Sequence, residues 1–198
     1  MAGSTDTFAP TTQEDAPGLR NQFAQELFEA MPQMAEDVST PALKGQRTLD
    51  FLRQLRVGPI PEEALTLIAY ALQPRHAIWW GHECLKAAPD LLTEQDNEML
   101  LLLSGWVAEP DEDHRYAALG AGANLQPRGP GVWMALATGW SGGSMSEPEF
   151  PPVPPPQFLM GRALNAGVLG ALARVPQDKR RRTLDHYIGI GEVLAKSG

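Results

Sequence analysis

Apolar positions recur at spacings of three and four along most of the chain, and proline, glycine or a capping residue bounds each run. Phe23, Leu27 and Ala30 predict a first helix from about Leu19 to Met31, interrupted by Pro32 and ended by Ser39-Thr40-Pro41. Leu49, Phe51, Leu52 and Leu55 predict a short amphipathic helix closed by Gly58-Pro59. Pro61-Glu62-Glu63 opens the next, because proline costs nothing in a first turn and acids there suit the helix dipole. Its apolar stripe is Ala64, Leu65, Ile68, Ala71 and Leu72. Pro74 opens a helix holding Ile78, Trp79, Trp80 and Leu85, which Pro89 stops.

Thr93 to Asp96 reads as a helix cap, with Glu94 also placed for the dipole. The run Met99-Leu100-Leu101-Leu102-Leu103, followed by Trp106 and Val107, is apolar nearly all round. A helix of that kind is buried on all sides, so it is expected at the centre. Pro110-Asp111 begins a helix with Tyr116, Ala117, Leu119 and Ala121, and Pro130-Gly131 precedes Val132, Trp133, Leu136 and Trp140 at helical spacing. Then the pattern breaks. Ser141-Gly142-Gly143-Ser144 leads to Pro151–Pro156, where five of six residues are proline. Proline fixes φ and disfavours α geometry before it, so this strap is extended polyproline II. Beyond it, Phe158, Leu159, Leu164, Val168, Leu169 and Leu172 predict an apolar helix, and Pro176 opens a last one with Leu184, Tyr187, Ile188 and Val193.

No strand pattern of useful length and no fixed-period repeat occurs. The expected fold is all-α: an irregular multi-helix bundle with a long Pro-rich connecting strap. Residues 1–18, rich in Ser, Thr, Pro and Asp, are expected as a disordered tail, 19–45 as a detachable N-terminal arm helix, and 46–198 as the helical domain.

Charge narrows the function classes. The 198 residues carry a net charge of -8. Residues 1–42 hold seven acids and one base, 43–161 fourteen and eight, and 162–198 three and seven. An acidic chain is a poor nucleic-acid binder, since phosphate contacts need clustered Lys and Arg. The one basic cluster, Lys179-Arg180-Arg181-Arg182, is small and falls at a helix start, where cations oppose the dipole. That conflict marks Arg180 and Arg181 as partner-binding candidates. The N-terminus has no basic region followed by an apolar one, the longest weakly polar stretch (163–173) is too short for a bilayer, and Cys84 is the only cysteine. The expectation is a cytoplasmic protein without membrane or nucleic-acid contacts.

Candidate chemistry is sparse. His82-Glu83 begins like a helical zinc motif, but residue 86 is Lys. His76 and His82 lie about 240° apart round a helix and are expected to point apart. His114 and His186 meet them only through the tertiary fold. Cys84 is two positions from His82, on another helical face, and is expected to be inert. Ser141-Gly142-Gly143-Ser144 lacks the Gly-Lys-Ser/Thr and preceding strand of a phosphate loop. Asp111, Glu112 and Asp113 suit a helix start rather than a calcium loop. No catalytic residue, metal site or cofactor is expected, and the chain is expected not to be an enzyme.

The five tryptophans are the largest apolar payload. Adjacent Trp79 and Trp80 are about 100° apart on a helix, so one faces the core while the other faces a neighbour, the strap or a partner. The strap is expected to lie across one or two indoles. Candidate partner-binding residues are therefore Trp79, Trp80, Trp140, Phe150, Pro154, Pro155 and Pro156, with Arg180 and Arg181.

Leu72-Gln73-Pro74-Arg75-His76-Ala77-Ile78-Trp79-Trp80, Gly105-Trp106-Val107-Ala108-Glu109-Pro110, Trp140-Ser141-Gly142-Gly143-Ser144 and Pro151–Pro156 together resemble an uncharacterised family of small bacterial helical proteins associated with type VI secretion gene clusters. The resemblance covers about residues 60–195. Where those relatives carry small or cysteine residues after the double Trp, this chain has Gly81-His82, so no role is carried to Cys84. The resemblance carries no activity or cofactor, but with the sparse chemistry, the acidic arm and the aromatic and proline features it points to an interaction module: an adaptor or chaperone for a secretion component or effector. The acidic charge also admits an immunity protein that masks a basic toxin.

Overall fold

Proline sets the start of four helices and side-chain caps set two more. The computed structural model describes residues 15–198, and the first fourteen residues of the expected tail lie outside the described ones. Among the described residues the α-helices are α1 (Ala24–Ala30), α2 (Thr48–Arg56), α3 (Glu63–Ala71), α4 (Pro74–Lys86), α5 (Glu94–Ala108), α6 (Glu112–Asn124), α7 (Pro130–Gly139), α8 (Gln157–Arg174) and α9 (Gln177–Ala195). Short 3-10 turns occupy Pro32–Glu36 and Pro89–Leu91. No strand forms among the described residues, only the isolated bridges Leu19–Leu72 and Phe23–Arg47. The fold is all-α. Pro74 and Pro130 begin α4 and α7, while Pro156 and Pro176 stand just before α8 and α9. Thr93 and Asp96 form a reciprocal capping box on α5, and Asp111 caps α6.

The centre is not α5. Leu101 is 74% exposed and Leu102 only partly buried, while Met99, Leu100, Leu103 and Trp106 turn inward. At about 100° per residue, a run of five consecutive apolar residues sweeps round the helix, so some of it must leave the buried face. The central positions go to α3, buried at every residue, and to α7, buried at every residue but Trp133. Helix α7 packs on α4, α5, α6 and α8, and α3 packs on α2, α4, α8 and α9.

A buried carboxylate joins three of these helices. Asp96 accepts hydrogen bonds from Thr93 N (3.0 Å), Gly131 N (2.8 Å) and Arg174 Nη1 (2.8 Å), tying α5 to the start of α7 and the end of α8. The contact with α7 needs glycine: a Cβ on Gly131 would lie 2.6 Å from the Asp96 Cα. Burial alone would raise the Asp96 pKa, but the hydrogen bonds from Thr93, Arg174 and Gly131 outweigh it and hold the carboxyl below its ordinary value.

The expected detachable arm is instead clasped to the domain. Residues 19–23 are extended rather than helical, because Leu19 and Phe23 bridge to Leu72 and Arg47. Arg20 N donates to Ala71 O (2.8 Å), Gln73 N to Gly18 O (2.8 Å) and Gly18 N to Ala195 O (3.0 Å). Ala16, at the end of the expected tail, is buried. The inward face of the arm is Ala24, Leu27, Met31, Met34 and Val38, and Phe23 and Ala30 are exposed. Two carboxylates close the clasp. Glu63 accepts from Ser39 N (2.7 Å), Ser39 Oγ (2.6 Å) and Thr40 Oγ1 (2.5 Å), and Asp37 accepts from Tyr70 OH (2.5 Å) and Arg162 Nε (3.0 Å). Burial would raise the Glu63 pKa, yet the Ser39 and Thr40 bonds bring it below its ordinary value.

Asp96→Asn should lower stability at pH 7 by about 2–4 kcal/mol, the cost of unpairing a buried charge network. The Asp96 pKa is depressed on folding. Its contribution is therefore full above the unfolded-chain value of about 3.9 and is lost as pH falls through the folded one. Urea unfolding of both proteins should show the gap closing on acidification, and a gap independent of pH would contradict this role. Glu63→Ala should abolish hydrogen-exchange protection of the Ser39 amide while leaving α7 amides protected. Unchanged protection at Ser39 would show that the clasp holds the arm without this carboxylate.

Candidate functional site

Helix α4 presents its two adjacent indoles to different environments. Trp80 is fully buried, and its Nε1–H donates to Tyr187 O in α9 at 2.9 Å. It fastens α4 to α9 and is withdrawn from the candidate partner surface. Trp79 is half-buried and stacks on His82, with ring centroids 4.7 Å apart and planes 16° from parallel. Its ring lines two open clefts. One, of about 820 Å³ between α4 and α9, also has Glu83, Lys86, Asp185, Ile190 and Val193 in its lining. The other, of about 530 Å³ between α4 and α5, is lined by Arg75, His76, His82, Lys86, Ser104 and Val107 among others.

His76 and His82, expected to point apart round α4, both stand in the lining of this second cleft. A cleft between two helices is wider than one helical face, so side chains well separated round α4 still reach it. His82 Nδ1 lies 2.9 Å from Glu83 Oε1, and its Nε2 lies 2.9 Å from Ser104 Oγ. Burial pushes the His82 pKa down, against the opposing pull of Glu83, so the imidazole is neutral at pH 7. The order carboxylate–imidazole–hydroxyl is that of a nucleophilic relay. However, Ser104 Oγ also lies 3.0 Å from Leu100 O in its own helix, and one hydroxyl proton serves only one of these acceptors at a time. Ser104 stands inside α5, whose backbone amides are engaged in the helix, so its own helix offers it no oxyanion hole. Cys84 is buried, and burial pushes its thiol well above the ordinary value, which makes it unreactive.

The strap is closed by polar groups. Met145 N donates to Val153 O (2.8 Å), Val153 N to Ser144 Oγ (3.0 Å), Ser146 Oγ to Pro151 O (2.7 Å) and Tyr116 OH to Ser146 O (3.0 Å). Gly143, with φ +60°, turns over the buried Arg115, and a Cβ there would meet Arg115 Nε at 2.8 Å. Arg115 in turn donates to Glu112 through Nε (2.9 Å) and Nη2 (2.7 Å) and to Gly139 O (2.6 Å). The Trp-Ser-Gly-Gly-Ser segment is thus a lid on a guanidinium. Trp140 is half-buried against the core. Phe150 is 59% exposed, Pro154 and Pro156 are exposed, and Pro155 is half-buried.

Two members of the basic cluster bond within the fold. Arg180 Nη2 donates to Ala173 O (3.2 Å) and Val175 O (3.3 Å) at the end of α8. Arg181 pairs with Asp185 (3.0 Å) and donates to Arg56 O (3.3 Å), the last carbonyl of α2. Cations that oppose the dipole of α9 therefore serve the C-terminal ends of two other helices, where positive charge is favourable. Arg180 stays half-buried and the Arg181 side chain 58% exposed beside these bonds. Among the described residues one group has metal-ligand geometry that the residue pattern did not suggest. Ligand atoms of Glu109, Asp111 and His114 lie within 4.8 Å of one another. Asp111 Oδ1 already accepts from His114 N and lies 2.8 Å from its Nδ1, as the cap of α6 requires. The spacing Glu109-x-Asp111-x-x-His114 was the available signal.

Trp80→Ala should cost about 3–5 kcal/mol in urea unfolding, as for other fully buried aromatics, whereas Trp79→Ala should cost less than about half as much. Equal losses would mean that Trp79 is also a core residue.

No helix among the described residues is long and apolar enough to cross a membrane. No curated protein and no solved structure matches the chain. A family of unknown function, DUF6931, matches residues 51–195, so the helices α3 to α9 and the strap, with their clefts, are covered and the clasped arm before residue 51 is not. On that match, the chain belongs to the DUF6931 family of unknown function.

Proposed function

We propose that this protein is a non-enzymatic interaction module whose docking surface is the Trp79 ridge of α4 with the α4/α9 groove beside it. The observation that carries the reading is the contrast between neighbours. Trp80 is spent on the core, while Trp79 stands half-buried as a wall of an open groove. Trp is the residue type most enriched at energetic centres of interfaces, since it supplies large contact area and a polar handle. The groove floor continues with Gly189, Ile190, Val193 and Leu194 of α9, and Val193 is 66% exposed. Glu83, Lys86 and Asp185 rim it with both signs of charge. An apolar trough with a mixed polar rim between two helices suits an amphipathic helix from a partner protein.

The resemblance to a bacterial family associated with type VI secretion gene clusters makes an adaptor or chaperone for a secretion component or effector the favoured role. The exposed side of the strap, Phe150, Val153, Pro154 and Pro156, is a second contact region for the same partner. The net charge of -8 favours one further reading, an immunity protein that covers a basic toxin site. Self-intoxication on deletion of the gene is its distinguishing sign.

Affinity capture from the source bacterium, with wild type and Val193→Asp as baits, tests the proposal. The expected result is enrichment of a spike, effector or apparatus protein by wild type and its loss, by about tenfold or more, with the variant. Recovery of no such protein, or equal recovery by both baits, would contradict it.

A further inference from the structure

We propose that the α4/α5 cleft is a binding site for a small carboxylate carrying a flat, apolar body. The site is separate from the docking groove and shares only Trp79 and Lys86 with it. Its lining reverses the sign of the molecule. Arg75 and Lys86 bring positive charge, His76, His82 and Ser104 bring hydrogen-bonding atoms, and no carboxylate is among the lining residues, in a chain of net charge -8. Such a local inversion concentrates anions at the cleft.

The backbone adds to this field. Arg75 and His76 are the second and third residues of α4, so the helix N-terminus forms one end of the cleft. Gln73 before it supplies no side-chain cap, which leaves first-turn amides and the positive end of the dipole for an anion. Arg75 is already aimed: its Nε donates to Val107 O at 2.8 Å across the cleft mouth, and its terminal nitrogens have no partner among the described residues. A guanidinium held by Nε and open at its tips is arranged for carboxylate. His76 stands half-buried in the same wall.

The rest of the lining sets the shape of the ligand. Trp79, Val107 and Ala108 give apolar surface, with the indole as a flat wall backed by His82. A volume of about 530 Å³ lies within the range of small-molecule pockets. Arg75 stands in the first turn of α4 and Lys86 is its last residue, with the Trp79 wall between them, which matches a carboxylate at the Arg75 end with an aryl or indolyl body laid along the indole rather than a bare inorganic anion.

The test uses the full chain, ¹⁵N-labelled, titrated with phenylacetate, with indole-3-acetate and with the uncharged phenylacetamide, following the Trp79 indole N–H and the His76 and Ser104 amides. Both carboxylates should give saturable shifts with Kd of about 1 mM, the scale set by ligands of this size, and the amide should bind about tenfold more weakly or not at all. Arg75→Ala with Lys86→Ala, both at exposed positions, should remove about tenfold or more of the carboxylate affinity. Linear shifts without saturation, equal binding of the amide, or an unaffected double variant would overturn the proposal.

Discussion

A carboxylate removed from water sets the relative placement of three helices. Asp96 gathers the Thr93, Gly131 and Arg174 donors, and each lies on or beside a different end of α5, α7 or α8. A buried charge tolerates only a fully satisfied arrangement. The start of α7 must therefore lie against α5 closely enough for a backbone amide to reach Asp96, which only a glycine at 131 permits. With α7 fixed there, its remaining faces are covered by α4, α6 and α8. The same economy recurs in miniature. Arg115 organises the turn at Gly143, Glu63 fastens the arm, and Arg180 completes the end of α8.

This consumption of polar and aromatic groups separates structure from surface. Trp80, Arg115, Arg180 and Arg181 all have partners within the chain. Trp79 keeps exposed surface beside two cavities, an apolar groove on one side and a cationic cleft on the other. His82 and Ser104, 2.9 Å apart through Nε2 and Oγ, both line that cleft.

Most helix boundaries were legible because they rest on local chemistry. Pro74, Pro130, Pro156 and Pro176 lie where proline must lie at a helix start, and Thr93 with Asp96 forms the cap that their spacing announced. What depends on distant partners was not legible. Met99 and the four leucines after it read alike in the pattern, yet only the tertiary packing decides that Leu101 is left outside while α3 and α7 take the centre. The arm looked detachable because Ser39 and Thr40 announce no partner, and Glu63 lies over twenty residues away. Nor did the pattern announce the second wall of the Trp79 cleft, which α5 supplies through Ser104, Val107 and Ala108.

The central claim is that one indole of the adjacent pair serves docking and the other serves packing. Site-specific photocrosslinking in living cells tests it most directly, with a photoreactive phenylalanine analogue at position 79 and, for comparison, at the half-buried Trp133 on α7. The account predicts a discrete covalent adduct to one protein from position 79 and none from position 133. Adducts from position 133 alone, or the same adducts from both, would contradict it.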